Sequence, residues 1–228
     1  MDDSIKEAFL EYAETDYFLQ KVEEAKKIIS NATKKYRTYV AFSGGKDSLV
    51  CLHIALQKQK DIMVLHWDYG RYYMPETFLD EIKAAARTIG ATNFRIYSSK
   101  KYDELKRNAD NVWGKEFFKN VVPQLRKEGF GAVIVGLRKE ESIARRNTVS
   151  KGRAIGGIKE IYPVGDWSYR DIWAYILKNK LPYHSTYDKY GPVVGWDKIR
   201  FVTFFDPQFD FLGNPNIDGV LNWRWKNE

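Results

Sequence analysis

A single cysteine, Cys51, stands in a chain of 228 residues. One cysteine excludes an intramolecular disulfide. It also excludes a four-cysteine zinc or iron–sulfur site built by this chain alone, so no zinc and no iron–sulfur cluster are expected. There is no run of about 18 apolar residues, so no segment is expected to span a membrane. The opening MDDSIKEAFLEYAETD lacks a basic region followed by an apolar core, so a secretory leader is not expected. With one cysteine and no export signal, the expected compartment is the cytoplasm. Internal repeats, low-complexity stretches and long linkers are absent too. What is present is ordinary globular composition, 44% hydrophobic and 29% charged. That excludes a wholly disordered or collagen-like chain.

The net charge is +7, but it is unevenly spread. The first 30 residues carry eight acids and four lysines, so the remaining body holds +11. The densest basic stretch, Arg138 to Arg153, has six basic and two acidic residues. A basic body suggests a polyanionic partner, either a nucleic acid or a small phosphorylated ligand.

Hydrophobic periodicity predicts a long helix or two over residues 4–35, with acids at its start and lysines at its end, as the helix dipole favours. Strand–helix alternation follows. Strands are expected at Thr38–Phe42, Ile62–Trp67, Asn93–Tyr97 and Ala132–Val135. Helices are expected at Asp47–Lys58, Pro75–Ile89, about 101–108 and about 115–128. This alternation predicts an α/β fold, a parallel sheet with helices on both faces. Residues 147–165 read as a loop or hairpin, and Ser168 as the N-cap of a helix reaching Lys178. From Pro182 onward, mostly irregular structure is expected, with one strand near Phe201–Phe204. The late aromatics Trp196, Phe201, Phe204, Phe205, Phe209, Phe211, Trp223 and Trp225 are candidates for an edge cover, a lid or a subunit interface.

The strongest local signal is Val40-Ala41-Phe42-Ser43-Gly44-Gly45-Lys46-Asp47-Ser48. A strand, a tight glycine turn and a helix start aim backbone N–H groups at an anion. Gly44 and Gly45 let the backbone approach phosphate oxygens. Ser43 and Ser48 add hydroxyls, Lys46 a positive charge, and Asp47 a carboxylate able to orient a nucleotide-bound Mg²⁺. A Walker loop needs Gly-Lys-Ser/Thr; here Gly45-Lys46 is followed by Asp47.

This hexapeptide resembles the pyrophosphate loop of the adenine nucleotide α-hydrolase superfamily. Further segments resemble its phosphoadenosine phosphosulfate (PAPS) reductase and ATP sulfurylase branch. Asp68-Tyr69-Gly70 with Pro75-Glu76-Thr77 is similar to the branch's Asp-Thr-Gly…Pro-Glu-Thr, with Tyr69 in place of Thr. Gly136-Leu137-Arg138, Ser142 and Arg145 match Gly-x-Arg-x-x-x-Ser-x-x-Arg. Tyr162-Pro163-Val164-Gly165-Asp166-Trp167 leads to Leu181-Pro182-Tyr183-His184 and Tyr187-Asp188, again as in the branch. The resemblance implies a Rossmann-like three-layer nucleotide-binding domain over 37–195. An N-terminal helical segment (1–36) and a C-terminal extension (196–228) packed on the same domain would flank it.

The implied ligand is an adenine nucleotide, ATP with Mg²⁺ or an adenylyl-sulfate. The implied binding set is Ser43, Gly44, Gly45, Lys46, Asp47, Ser48, Asp68, Gly70, Gly136, Ser142 and His184. Lys46, Arg138 and Arg145 are the candidate catalytic cations. Arg138 and Arg145 lie seven apart, so on one helix they would share a face at the ligand-binding edge of the sheet; the alternative is a solvated basic face. Asp68 and Glu76 either hold Mg²⁺ through water, contact ribose, or, for Glu76, complement a helix dipole. His184 either reaches the site or packs in a loop; His66, just before Asp68 at a strand end, either touches the ligand or is a hydrogen-bonded structural histidine; His53 and Cys51 read as structural.

Reductases of this branch need a nucleophilic cysteine, usually in a Glu-Cys-Gly-Leu-His segment that these residues do not contain. The expectation is therefore attack of a small anionic acceptor on the ATP α-phosphate, with release of pyrophosphate. The acceptor would be sulfate, another small anion or a phosphate ester such as FMN. Two alternatives stay open. One is a PAPS or adenylyl-sulfate binding protein, or a reductase using a partner's thiol. The other is an RNA-binding or RNA-modifying protein, disfavoured because no RNP-type motif is present. A homo-oligomer or partner subunit is compatible with either.

Overall fold

The computed structural model describes residues 1–70, 76–106 and 114–199. Two helices open the chain, α1 (Asp3–Tyr12) and α2 (Asp16–Lys35). The break is chemical: Thr15 caps α2 by accepting from the Phe18 N–H, just as Asp2 caps α1 through the Ser4 N–H. Phe18, Val22, Ala25, Ile29 and Ala32 form the buried stripe of α2.

The alternating region then runs β1 (Arg37–Ala41), α3 (Lys46–Lys58), β2 (Met63–Asp68), α4 (Glu76–Thr88), β3 (Phe94–Ser98) and the short α5 (Tyr102–Leu105). A π-helical turn (Phe117–Val121) leads into α6 (Val122–Lys127). The expected continuous helix changes register here because Pro123 has no N–H to continue the ladder. Next come β4 (Phe130–Val135), a 3₁₀ turn (Lys139–Glu141) and α7 (Ile143–Lys151). The chain continues through β5 (Ala154–Ile155), β6 (Ile158–Ile161), α8 (Tyr169–Lys178) and α9 (Thr186–Val194).

The sheet order is β3-β2-β1-β4-β6-β5, parallel except for β5. One core, on the face holding α2, α3 and α8, includes Val40, Val64, Ile134, Leu52 and Trp173. The other contains Tyr39, Met63, Leu65, Val133 and Leu125 beneath α6. Successive strand residues thus point to opposite layers, and helices cover both faces as expected. Phe9, Ala13 and Phe18 belong to the first core, so α1 and α2 pack into the same body as the sheet. Among the described residues, no helix is long and apolar enough to cross a membrane.

Two expectations are corrected. Residues 147–165 are not all loop or hairpin, since α7 reaches Lys151 before the β5–β6 hairpin. The hairpin turns on Gly156 and Gly157, whose φ values of 55° and 81° suit a two-residue turn with both residues left-handed. The region after Pro182 is not mostly irregular in its described part, since α9 forms despite Gly191 and Pro192. The Trp196 ring packs so close to Gly191 that a Cβ there would lie 2.7 Å from it. The expected strand near Phe201–Phe204 and the aromatics from Phe201 onward lie outside the described residues.

The strand order reverses between β1 and β4, which leaves a crevice at their C-terminal ends, where open α/β sheets bind ligands. Gly136 closes the back of that crevice. A Cβ on it would stand 2.6 Å from the Ser48 N and 2.7 Å from the Asp47 carbonyl carbon, both rigid backbone. Gly136→Ala should therefore destabilise the fold by about 1–3 kcal/mol and displace the start of α3. Urea unfolding checks this; an unchanged midpoint would refute the close packing of β4 against α3.

Candidate active site

β1 ends at Ala41, and Phe42-Ser43-Gly44-Gly45 leads into α3. Gly44 has φ +87°, and a Cβ there would meet Ile82 of α4 at 2.4 Å. Both the backbone conformation and the neighbour demand glycine. Gly45 is the N-cap of α3 and supplies no side-chain cap, so the helix N-terminus is not closed by its own residue. Ser43 is exposed, and its Oγ lies 3.1 Å from Ser48 Oγ. Ser48 Oγ donates to the Gly45 carbonyl at 2.8 Å. The Lys46 N–H donates to the Tyr187 hydroxyl of α9 at 2.9 Å.

Behind the loop lies a buried charge cluster. Lys46 is 1% exposed and Arg138 2%. Lys46 Nζ donates to Asp47 Oδ2 and to the Ile199 carbonyl, each at 3.1 Å. Arg138 Nε donates to Asp47 Oδ1 at 2.5 Å, and its guanidinium also pairs with Glu140 and reaches the Trp167 carbonyl. Burial alone would raise the Asp47 pKa. The ammonium of Lys46 and the guanidinium of Arg138 outweigh it and bring the carboxyl down to about 2.

Arg138 and Arg145 do not share a helix. Ser142, with φ −168° and ψ 162°, is extended and separates the 3₁₀ turn from α7. Its hydroxyl caps α7 by accepting from the Arg145 N–H at 3.1 Å. Arg145 is half-buried and pairs with Glu141 at 2.5 Å. The alternative of a solvated basic face fails for Arg138, which is interior because it answers Asp47.

At the end of β2, Asp68 Oδ1 accepts from the Gly70 N–H at 2.8 Å, a local turn that holds the strand exit. Gly70 has φ +79° and abuts the Tyr102 ring. Glu76 is exposed in the first turn of α4, the dipole-complementing position, and Pro75 lies outside the described residues. His184 is buried between α4 and α9: its Nδ1 is 3.0 Å from Thr186 Oγ1 and 3.6 Å from Glu81, and its ring lies 4.5 Å from that of Phe78, tilted by 57°. His53 Nδ1 meets the Tyr175 hydroxyl at 3.0 Å. Cys51 is fully buried on α3, and burial pushes its thiol pKa up, away from the thiolate.

Both Asp47 oxygens are engaged by cations, so the carboxylate does not fit direct ligation of Mg²⁺. Among the described residues, no group of three His, Cys, Asp or Glu could hold a metal ion. Sequence reasoning does not place Tyr187 or the Ile199 carbonyl in this assembly, because nothing in sequence spacing connects either to Lys46; Glu140 and Glu141, beside the arginines in sequence, do pair with them.

Asp47→Asn should cost about 3–5 kcal/mol, because it leaves two buried cations without their carboxylate. The folded pKa lies below the ordinary carboxylate value of 3.8, so this contribution is complete above pH 3.8 and is lost as pH falls through about 2. Unfolding midpoints measured down this range should converge for the two proteins. Parallel curves would refute the clamp.

Comparison with known proteins follows the same lines. The family described as "Phosphoadenosine phosphosulfate reductase domain" matches residues 37–205. An uncharacterised protein of Methanocaldococcus jannaschii is 30% identical over 184 residues, which cover 75% of this chain and 37% of that one. An adenosine 5′-phosphosulfate reductase of Shouchella clausii is 28% identical over 182 residues, covering 73% of this chain and 72% of that one. A phosphoadenosine 5′-phosphosulfate reductase of Escherichia coli O157:H7 is 28% identical over 193 residues, covering 79% and 78%. The fold is similar to a crystal structure of phosphoadenylyl-sulfate reductase from Candida auris in a phosphate complex, with TM-score 0.54 and 21% identity over 83% of this chain and 92% of that one. The parallel sheet, the glycine loop at its switch point and the matched span agree: the chain belongs to the phosphoadenosine phosphosulfate reductase domain family.

Proposed function

We propose that the chain binds an adenylyl nucleotide at Ser43–Ser48 and transfers AMP from ATP to a small anionic acceptor. One observation carries this reading over thiol chemistry. The only thiol in these residues, Cys51, is sealed in the core beneath the loop. The loop N–H groups and the N-terminus of α3 receive phosphate oxygens. The acceptor oxygen forms a bond to the α-phosphorus, and the bond to pyrophosphate breaks. Mg²⁺ enters with ATP as part of the substrate.

In this reading Lys46 and Arg138 act chiefly from behind. Paired with Asp47 and Glu140, they fix the loop so that its donors are in place before the ligand arrives. Arg145, less buried, exchanges Glu141 for a ligand oxygen as charge develops. A second reading is favoured by the names of the relatives: reduction of an adenylyl-sulfate by a thiol that another chain supplies.

The test uses α-labelled ATP, Mg²⁺ and candidate acceptors. Pyrophosphate and an AMP-bearing product are expected; orthophosphate alone rejects the reading. Sulfite and AMP released from adenosine phosphosulfate only when an external thiol is added would establish the second one. Cys51→Ala should keep turnover within about two-fold, and the native thiol should resist a thiol reagent until the protein unfolds. Rapid labelling of the folded protein, or loss of activity in a folded Cys51→Ala, would restore Cys51 as a nucleophile.

A further inference from the structure

His66 has a role that packing alone does not explain. It lies on β2 and is 1% exposed. Its Nδ1 stands 2.8 Å from the Phe42 carbonyl. A carbonyl only accepts, so Nδ1 carries the proton and donates. Burial lowers the ring's pKa, which keeps it neutral. Nε2 is therefore a bare lone pair, and it has no hydrogen-bond partner. A buried acceptor left so loses its hydration without return, and such groups in native folds call for an explanation.

Its surroundings supply one. Phe42 is the residue immediately before Ser43, so the ring spans from β2 to the root of the phosphate loop. Val64, His66 and Asp68 share one face of β2, and Asp68 opens the turn at the strand exit. His66 thus joins the residue that precedes the loop, through Nδ1, to the strand that ends in the Asp68–Gly70 turn. The neighbouring Trp67 Nε1, on the opposite face, is also buried without a partner.

We propose that His66 Nε2 accepts a hydrogen bond from the nucleoside half of the ligand, from a ribose hydroxyl or the exocyclic amine of the base. His66 is then a specificity-determining residue. The inference rests on the nucleotide reading above, and it adds what that reading lacks, a contact beyond the phosphates. The Phe42 carbonyl fixes the tautomer, so the ring offers an acceptor only and selects for a donor at that point.

The test is nitrogen-15 NMR of the full chain with labelled histidine. In the free protein, Nε2 should resonate as an unprotonated nitrogen. Saturation with ATP or adenosine phosphosulfate should shift it upfield, and inorganic triphosphate should not. His66→Leu should weaken ATP binding about ten-fold and leave triphosphate binding unchanged, and His66→Gln, with its amide oxygen, should recover part of the loss. Wild-type binding of 2′-deoxy-ATP, 3′-deoxy-ATP and inosine triphosphate identifies the donor by which one suffers the same loss. An Nε2 signal that ignores a bound nucleotide would mean an acceptor for buried water and would overturn this inference alone. Equal affinity of wild type and His66→Leu for ATP would do the same. Failure of ATP, adenosine phosphosulfate and triphosphate all to bind would overturn the nucleotide reading, and this inference with it.

Discussion

Asp47 lies between two buried cations, and much of the site's geometry depends on that arrangement. Its carboxylate holds Lys46 from its own helix and Arg138 from the segment after β4. A charge in the interior is tolerated only when its partners come with it. The clamp therefore forces the first turn of α3 and the exit of β4 into one unit. Gly136 permits the approach because it has no Cβ to meet the helix backbone. Lys46 extends the unit further, to the Tyr187 hydroxyl through its N–H and to the Ile199 carbonyl through its ammonium. Four parts of the chain, distant in sequence, meet at one loop.

This arrangement changes what the charges beside the loop mean physically. A lysine and an arginine beside a glycine loop suggest two open cations waiting for phosphate. Here both are turned inward and answered by carboxylates. Ser43 is the loop residue left at the surface, and the Gly45 and Lys46 N–H groups are held by the Ser43 and Tyr187 hydroxyls. Anion binding at such a loop relies on fixed N–H groups and the helix dipole, and rigidity is what makes these effective. Buried ion pairs contribute little net stability but penalise any conformation that separates them. Specificity of loop geometry is the return for burying three charged groups, Lys46, Asp47 and Arg138.

Cys51 illustrates a different constraint. It lies on the helix that begins at the glycine loop, yet it belongs to the hydrophobic core. Desolvation favours its neutral form. A thiol in that state is a packing residue. The family's relatives include proteins named as reductases, so the sheet and loop are shared while the source of any thiol is a separate matter.

The strand–helix alternation, the parallel sheet, the loop at 43–48 and the Ser168 cap were legible in the sequence, because each rests on local periodicity or local turn chemistry. So was the grouping of motifs at one edge, because parallel strands carry their C-terminal ends together. What sequence could not decide was which charges face solvent and which face each other. Arg138 and Arg145 look equivalent at a spacing of seven, but the extended Ser142 splits them, leaving one interior and one at the rim. Helix α9 was hidden by Gly191 and Pro192, since the contact that favours it comes from Trp196. The orphaned Nε2 of His66 was invisible for the same reason. Sequence by itself determined the fold class and the glycine loop at 43–48, through interactions that span a few residues. Only the tertiary structure decided which charges pair in the interior and that His66 is buried with one ring nitrogen unpartnered, because burial and partner geometry arise from segments that meet across the sheet.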